Sequence, residues 1–314
     1  MRTRRKYMMR AARVSLFFNV VLFAVKLVAL VVVHSLAIAT DFAITVVGLI
    51  VSVILYKSLK LSTKDADLFH NYGYGKVEHV CEAMEGIILV GIAGIMSFQA
   101  FSAFFRPGHI ELPWVGLLTS AIGLSLNFIG AFFIFKYAEK SMSPAVKAEG
   151  THYLLEGFIS ASIAGAFLAA ILLKRTSLVL VVPYIDPAIT LVISIAVSVP
   201  SARLAKKAFI NLLDASIEEP SKMETVVRLA RNAEHFCNFR DLRTRTAGHK
   251  KFIEMKLIMP KEMPFARAHE ITRVIEEDIA EGISGSEVSI KAVPCSMDCG
   301  IIADGGQCPY IGTA

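Results

Sequence analysis

Charge is scarce in this chain. Of 314 residues only 19% are Asp, Glu, Lys or Arg, while 54% are hydrophobic. That balance excludes an ordinary soluble domain of this length and makes a membrane protein the default. Cysteine is sparse too: five residues, three of them in the last twenty positions, an odd set that makes no disulfide framework and fits reduced cytoplasmic thiols. Nucleophile motifs, phosphate-binding loops and nucleotide signatures are missing, which argues against an enzyme or an ATP-driven pump, and no cofactor is expected. Internal repeats and low-complexity segments are absent as well. The basic opening "MRTRRKYMMR" runs into an apolar stretch with no small-residue cleavage site behind it, so it reads as a cytoplasmic tail and not as a signal peptide. The net charge of +6 does not indicate nucleic acid, because Lys and Arg gather at the ends of apolar segments, as membrane topology requires.

What is present is a series of long apolar runs. A helix needs roughly 20 apolar residues to cross a bilayer, and six stretches qualify: about 11–33, 36–57, 80–105, 112–135, 150–173 and 178–200. An even number places both termini on one side. The N-terminal tail, "KSLKLSTKDADLFHNYGYGK", "KYAEKSMSPAVK" and "SARLAKKA" are richer in Lys and Arg than the short "RPGH" and "LLKRTS" turns. That side is therefore expected to be cytoplasmic.

After about residue 208 charge becomes dense and short periodicities appear. "SKMETVVRLARNAE" and "ARAHEITRVIEEDIAEGI" repeat apolar residues at helical spacing, while "RDLRTR", "KFIEMKLIM" and "SEVSIKAV" alternate as strands, the first two around the turn "AGHK". The predicted order is αββαβ, a small two-layer α+β domain with its helices on one face of a three-stranded sheet. The expected organisation is a tail over 1–10, a six-helix transmembrane domain over 11–207, the α+β domain over 208–294 and a Cys/Gly-rich tail over 295–314.

Ionisable groups in the hydrocarbon core cost roughly 2.5–3.5 kcal/mol each on insertion scales, so each needs a partner or a wet cavity. The second span carries Asp41 and, one turn on, Thr45; the fifth carries His152 and, one turn on, Glu156. Spacings of three and four residues stack Glu149, His152 and Glu156 on one helix stripe. If the two helices face each other, two carboxylates, an imidazole and a hydroxyl form a mixed N/O set suited to a first-row divalent cation. The alternative is plain interhelical hydrogen bonding, and for Thr45 a helical hydroxyl can satisfy itself on its own backbone. Asn19, Lys26, Glu82, Glu85, Asn127 and Asp186 read as snorkelling, paired or interfacial residues.

Five segments, "SLAIATD", "HNYGYGKVE", "THYLLE", "RDLRTRTAG" and "ARAHEITRVIEEDI", together resemble the cation diffusion facilitators, in the right order and over about residues 10–295. The likeness is to the bacterial ferrous-iron and zinc efflux branch. It implies a homodimer of six-helix protomers, each with a metallochaperone-like cytoplasmic domain, in the bacterial inner membrane with both termini cytoplasmic. It implies export of a divalent metal in exchange for protons, with the metal as substrate and the lipid bilayer as setting. The family's transport site maps onto Asp41, Thr45, His152 and Glu156, and its charge interlock at the dimer junction onto Lys76 and Asp214.

The sequence also departs from the family pattern. Asp is usual where Thr45 and Glu156 stand, so the resemblance implies a looser, more oxygen-rich site that admits manganese or iron(II). In the loop site Asp67 and His70 match ligands, but Tyr74 replaces a His, which makes that site weak. Arg240, Lys256 and Lys291 occupy positions of cytoplasmic metal-binding His residues, Val293 an acidic one, and cations have no lone pair to give. Of the matching histidines His269 remains. Glu149 reads as a charge at the cytoplasmic mouth of the pathway, and Cys81 as a small packing residue. Cys295, Cys299 and Cys308, with Cys237 near them, are either a loose metal or redox cluster or an unstructured tail. Two functional readings follow: a proton-coupled divalent-metal exporter, or a transport-impaired relative serving as a scaffold or heterodimer partner, as in magnetosomes.

Overall fold

The computed structural model describes residues 2–33, 36–64, 66–105, 113–173, 181–231 and 236–295. It divides into two compact units, Met1–Phe209 and Ile210–Ala314. The "RPGH" turn, most of "LLKRTS", the Asp186 side chain, Cys299 and Cys308 lie outside the described residues.

The first unit is built from α1 (Arg2–Val32), α2 (Leu36–Ser62), α3 (Val77–Phe105), α4 (Pro113–Ser141), α5 (Pro144–Leu173) and α6 (Val182–Leu212). All six are long and apolar enough to cross a membrane. α1 begins at Arg2, so the basic opening is helical and not an irregular tail. Arg, Lys and Met are good helix formers, and nothing in that segment breaks the helix. α6 likewise runs past the predicted end at 200, through Pro200 and the basic "SARLAKKA". α5 starts sharply because Pro144 supplies a preset φ at the first helical position, and Ser143 Oγ caps it by accepting from Val146 N at 3.3 Å.

Small residues allow the helices close approach. A methyl on Gly116 would overlap the Phe167 ring, and one on Gly130 the Tyr153 ring, so α4 and α5 pack backbone against aromatic face. Tyr153 then donates its hydroxyl to the Ser15 carbonyl at 2.6 Å, which ties α5 to α1 and satisfies a phenol that is otherwise sealed from solvent. Cys81 is buried within this core, as a packing residue should be.

The second unit follows the predicted order: α7 (Glu219–Arg231), β1 (Asn238–Ala247), β2 (Lys250–Met259), α8 (Phe265–Gly282) and β3 (Ser286–Pro294). β1 and β2 are antiparallel, joined at Gly248, whose φ of 62° suits a residue without Cβ. β3 lies parallel to β2, in sheet order β1-β2-β3. A parallel pair needs a crossover, and α8 supplies it. Ala268, Ile271, Ile275 and Ile279 of α8 bury their stripe against Ile253, Met255 and Leu257 of β2.

Candidate metal-transport site

Three helices each contribute a buried polar stripe. On α1 it is Ser15, Asn19 and Lys26; on α2 Asp41, Thr45, Gly48 and Ser52; on α5 Glu149, His152 and Glu156. Spacings of three, four and seven keep each set on one face, and the three faces meet in three tiers.

In the first tier Ser15 and Ser52 both donate to Glu149 Oε1, Ser52 at 2.8 Å. Glu149 is fully buried. It is therefore not a charge at the mouth of a pathway: its side chain turns inward between α1 and α2, where the two hydroxyls meet it. In the second tier His152 Nε2 lies 3.0 Å from Glu156 Oε1, and His152 Nδ1 4.0 Å from Glu85 Oε1 on α3. Beyond this pairing none of the four atoms has a hydrogen-bond partner among the described residues, and neither does Asn19 Oδ1. Gly48 faces them from α2.

The third tier holds Lys26. Its Nζ donates to Asp41 Oδ1 at 2.8 Å, Thr45 Oγ1 at 2.8 Å and Glu156 Oε2 at 3.4 Å. An ammonium has three N–H donors, and all three are used. Thr45 spends its own proton on the Asp41 carbonyl at 3.0 Å, so only its lone pairs face the lysine. The structure thus brings Asp41, Thr45, His152 and Glu156 into one cluster, but Asp41 and Thr45 converge on Lys26 and not on His152. Lys26 is paired in the interior and does not snorkel.

The loop expected to carry a weaker site is closed by its own contacts. Asp67 accepts from Lys64 Nζ at 2.8 Å, Tyr74 Oη at 2.7 Å and the backbone N–H groups of Phe69 and His70 at 3.1 and 2.9 Å. His70 Nδ1 is close, at 3.4 Å, but the carboxylate lone pairs are engaged. The hydrogen bond from Lys64, then that from Tyr74, hold the Asp67 carboxyl well below the usual carboxylate range. A depressed carboxyl adds stability above its unfolded pKa and loses it as pH falls through the folded one. The loop is accordingly expected to keep its fold through pH 4, which amide shifts of Phe69 and His70 followed from pH 6 downward would check. Melting of the loop near pH 4 would contradict the geometry.

In the second unit Arg240, Lys256 and Lys291 stand directly opposite one another across β1, β2 and β3, all on the exposed face. Lys256 pairs with Asp241 at 2.6 Å, and this bond holds the Asp241 carboxyl below its ordinary value. Asp214 lies 3.5 Å from Arg245 in the same unit. Cys237 and Cys295 anchor their backbone N–H groups on Ile258 and Met259 at one end of the sheet. His269 is exposed and stacks on Phe265 at 6.3 Å.

Sequence reasoning missed Asn19 and Gly48 as parts of the site. The signal for Gly48 was present: it falls seven residues after Asp41 and three after Thr45, on the same helical stripe. Asn19 was visible as a polar residue within the first span, but no spacing relates it to α5, so it read as a snorkelling, paired or interfacial residue.

Six membrane-length helices with an ionisable column sealed between four of them define a membrane transporter for a small charged substrate. Residues 12–213 match the model of the cation efflux transmembrane domain, and residues 219–295 that of the cation efflux protein cytoplasmic domain. The chain belongs to the cation efflux family and is a multi-pass cation efflux transporter. It is 26% identical over 239 residues to proteins named cation-efflux pump FieF from Cronobacter sakazakii, Salmonella arizonae and Salmonella newport, covering 76% of this chain and 77% of each relative.

Proposed function

We propose that this transporter exchanges a divalent first-row cation, zinc, iron(II) or manganese, for protons by alternating access, with His152 and Glu156 as the ligands that couple the two. The observation that carries this reading is the buried His152 Nε2–Glu156 Oε1 pair, 3.0 Å apart beside Gly48, whose two atoms have no hydrogen-bond partner but each other among the described residues. Imidazole and carboxylate lone pairs take either a proton or a metal ion, so loading one ejects the other. Asp41 and Thr45 form the counter-charge set for Lys26 in this conformation, and Asp41 joins the cation when Lys26 withdraws. Rocking of the helices about a midplane site supplies access to each side in turn.

The matched efflux domains and the pump names of the relatives favour the exporter over the scaffold reading. The cytoplasmic-domain match supports a dimer, and the Lys and Arg distribution supports cytoplasmic termini in a bacterial inner membrane. Lys76 and Asp214 are proposed as its charge interlock on the family resemblance alone. Purified protein in vesicles with a metal-sensitive and a pH-sensitive dye tests the coupling. Zinc, iron(II) or manganese is expected to move with an opposed proton flux, and His152→Ala to lower the metal flux at least about tenfold. Equal flux in that variant, or metal movement without protons, would sink the reading.

A further inference from the structure

We propose that Asn19 on the first helix is a third ligand of the transported cation, its amide oxygen completing the set begun by His152 and Glu156 over Gly48. The inference rests on the His152 and Glu156 reading above and extends it to the first helix, whose polar residues the sequence alone placed outside the site.

The geometry converges on one point. A methyl group built on Gly48 would lie 2.9 Å from His152 Nε2, 3.1 Å from Glu156 Oε1 and 3.2 Å from Asn19 Oδ1. All three atoms are buried; His152 Nε2 and Glu156 Oε1 have only each other, at 3.0 Å, and Asn19 Oδ1 has no hydrogen-bond partner among the described residues. A buried amide oxygen left unpaired beside an ionisable pair is costly. A cation seated just beyond that position, clear of the Gly48 backbone and among the three atoms, satisfies all three together once they draw in to the roughly 2.0–2.2 Å of a first-row metal.

The orientation of the amide is fixed independently. Ser52 Oγ spends its proton on Glu149 Oε1 at 2.8 Å, so it presents only lone pairs to Asn19. Asn19 Nδ2 donates to it at 2.6 Å and to Ser15 Oγ at 3.5 Å. With the NH2 group anchored on that side, Oδ1 turns toward His152 and Glu156. A donor of another type is also required: among the described residues no group of three His, Cys, Asp or Glu side chains could hold one ion. A neutral amide oxygen is an accepted ligand for the harder divalent cations. It supplies the third donor without adding a second carboxylate.

The test uses the purified full-length protein and cobalt(II), whose visible spectrum reports its ligands, with zinc binding measured by calorimetry. Asn19→Ala is expected to raise both dissociation constants about tenfold or more and to shift the cobalt band. Asn19→Asp keeps an oxygen and loses the NH2 group, so it is expected to bind at least as tightly as the parent. Unchanged binding in Asn19→Ala overturns the inference. So does Asn19→Asp binding as weakly as Asn19→Ala, because that outcome assigns the residue to the Ser52 hydrogen bond alone. Should Asn19→Ala fail to fold, the near-isosteric Asn19→Asp decides against the parent alone: binding at least as tight supports the inference, and binding about tenfold weaker or more overturns it. His152→Ala separates the two levels: if it binds like the parent, the His152 and Glu156 reading fails; if it loses binding while Asn19→Ala does not, only the role of Asn19 fails.

Discussion

Lys26→Met is expected to destabilise the membrane unit by about 3–5 kcal/mol, the range for removing one partner of a buried ion pair. The substitution preserves most of the side-chain length, so the loss is electrostatic and not a cavity. It strands two carboxylates that are nearly sealed from solvent, Asp41 and Glu156, which lie 2.8 and 3.4 Å from the ammonium in the parent. Pairing the change with Asp41→Leu removes one stranded acid and is expected to recover part of the loss, since replacing both members of a buried pair by apolar groups is close to neutral. Thermal unfolding in detergent, scored for parent, single and double variants, checks both statements. A single variant as stable as the parent would show that the lysine is not the keystone of the third tier.

The same pairing of a lysine with an aspartate recurs. Lys26 faces Asp41, Lys64 faces Asp67 and Lys256 faces Asp241, each within 2.8 Å. At or beside each of the three places a metal would otherwise be considered. An ammonium is a tethered cation: it neutralises one carboxylate at the cost of ordering its own chain, and needs no ion from solution. In the loop and on the sheet these pairs are solvent-exposed, so each contributes little to stability. Only the buried pair carries a large free energy. On the proposed reading, a dication reaches Asp41 by displacing Lys26, whereas it reaches His152 and Glu156 by inserting between two neutralisable partners.

The spans were legible because about 20 apolar residues admit few other interpretations, and the αββαβ order was legible because its periods switch cleanly between helix and strand. The ends of α1 and α6 were not, since a membrane helix can continue into charged sequence wherever good helix formers persist. Half of the candidate site was legible. His152 and Glu156 announce themselves as two titratable groups on one turn in an apolar segment. The other half depends on which faces of α1 and α2 meet α5, and a sequence does not carry that. Asp41 and Thr45 have the right spacing to face His152, yet the helix rotation gives that place to Gly48, the next residue on the same stripe. Lys26 was read as one of several peripheral polar residues because its partners sit 15, 19 and 130 positions away.

Gly48→Ala is expected to abolish measurable transport while leaving the protein folded. In most helices this change is favourable, because alanine exceeds glycine in helix propensity by about 0.8–1.0 kcal/mol. Here the added methyl would sit 2.9 Å from His152 Nε2, 3.1 Å from Glu156 Oε1 and 3.2 Å from Asn19 Oδ1. The first distance is shorter than a carbon and a nitrogen tolerate, so the imidazole must shift, and a displacement of about 1 Å in a ligand set costs on the order of a hundredfold in rate. The methyl also occupies the point where the three donors converge. A general sensitivity of membrane helices to alanine would give the same loss, so the control is Gly91→Ala or Gly94→Ala on α3, where nothing lies within 4 Å of the new carbon. Both controls are expected to transport like the parent. Metal flux into vesicles, normalised to folded protein by size exclusion, distinguishes the cases: a Gly48→Ala protein that transports at the parental rate would place the cation elsewhere in the bundle, most directly among Lys26, Asp41 and Thr45.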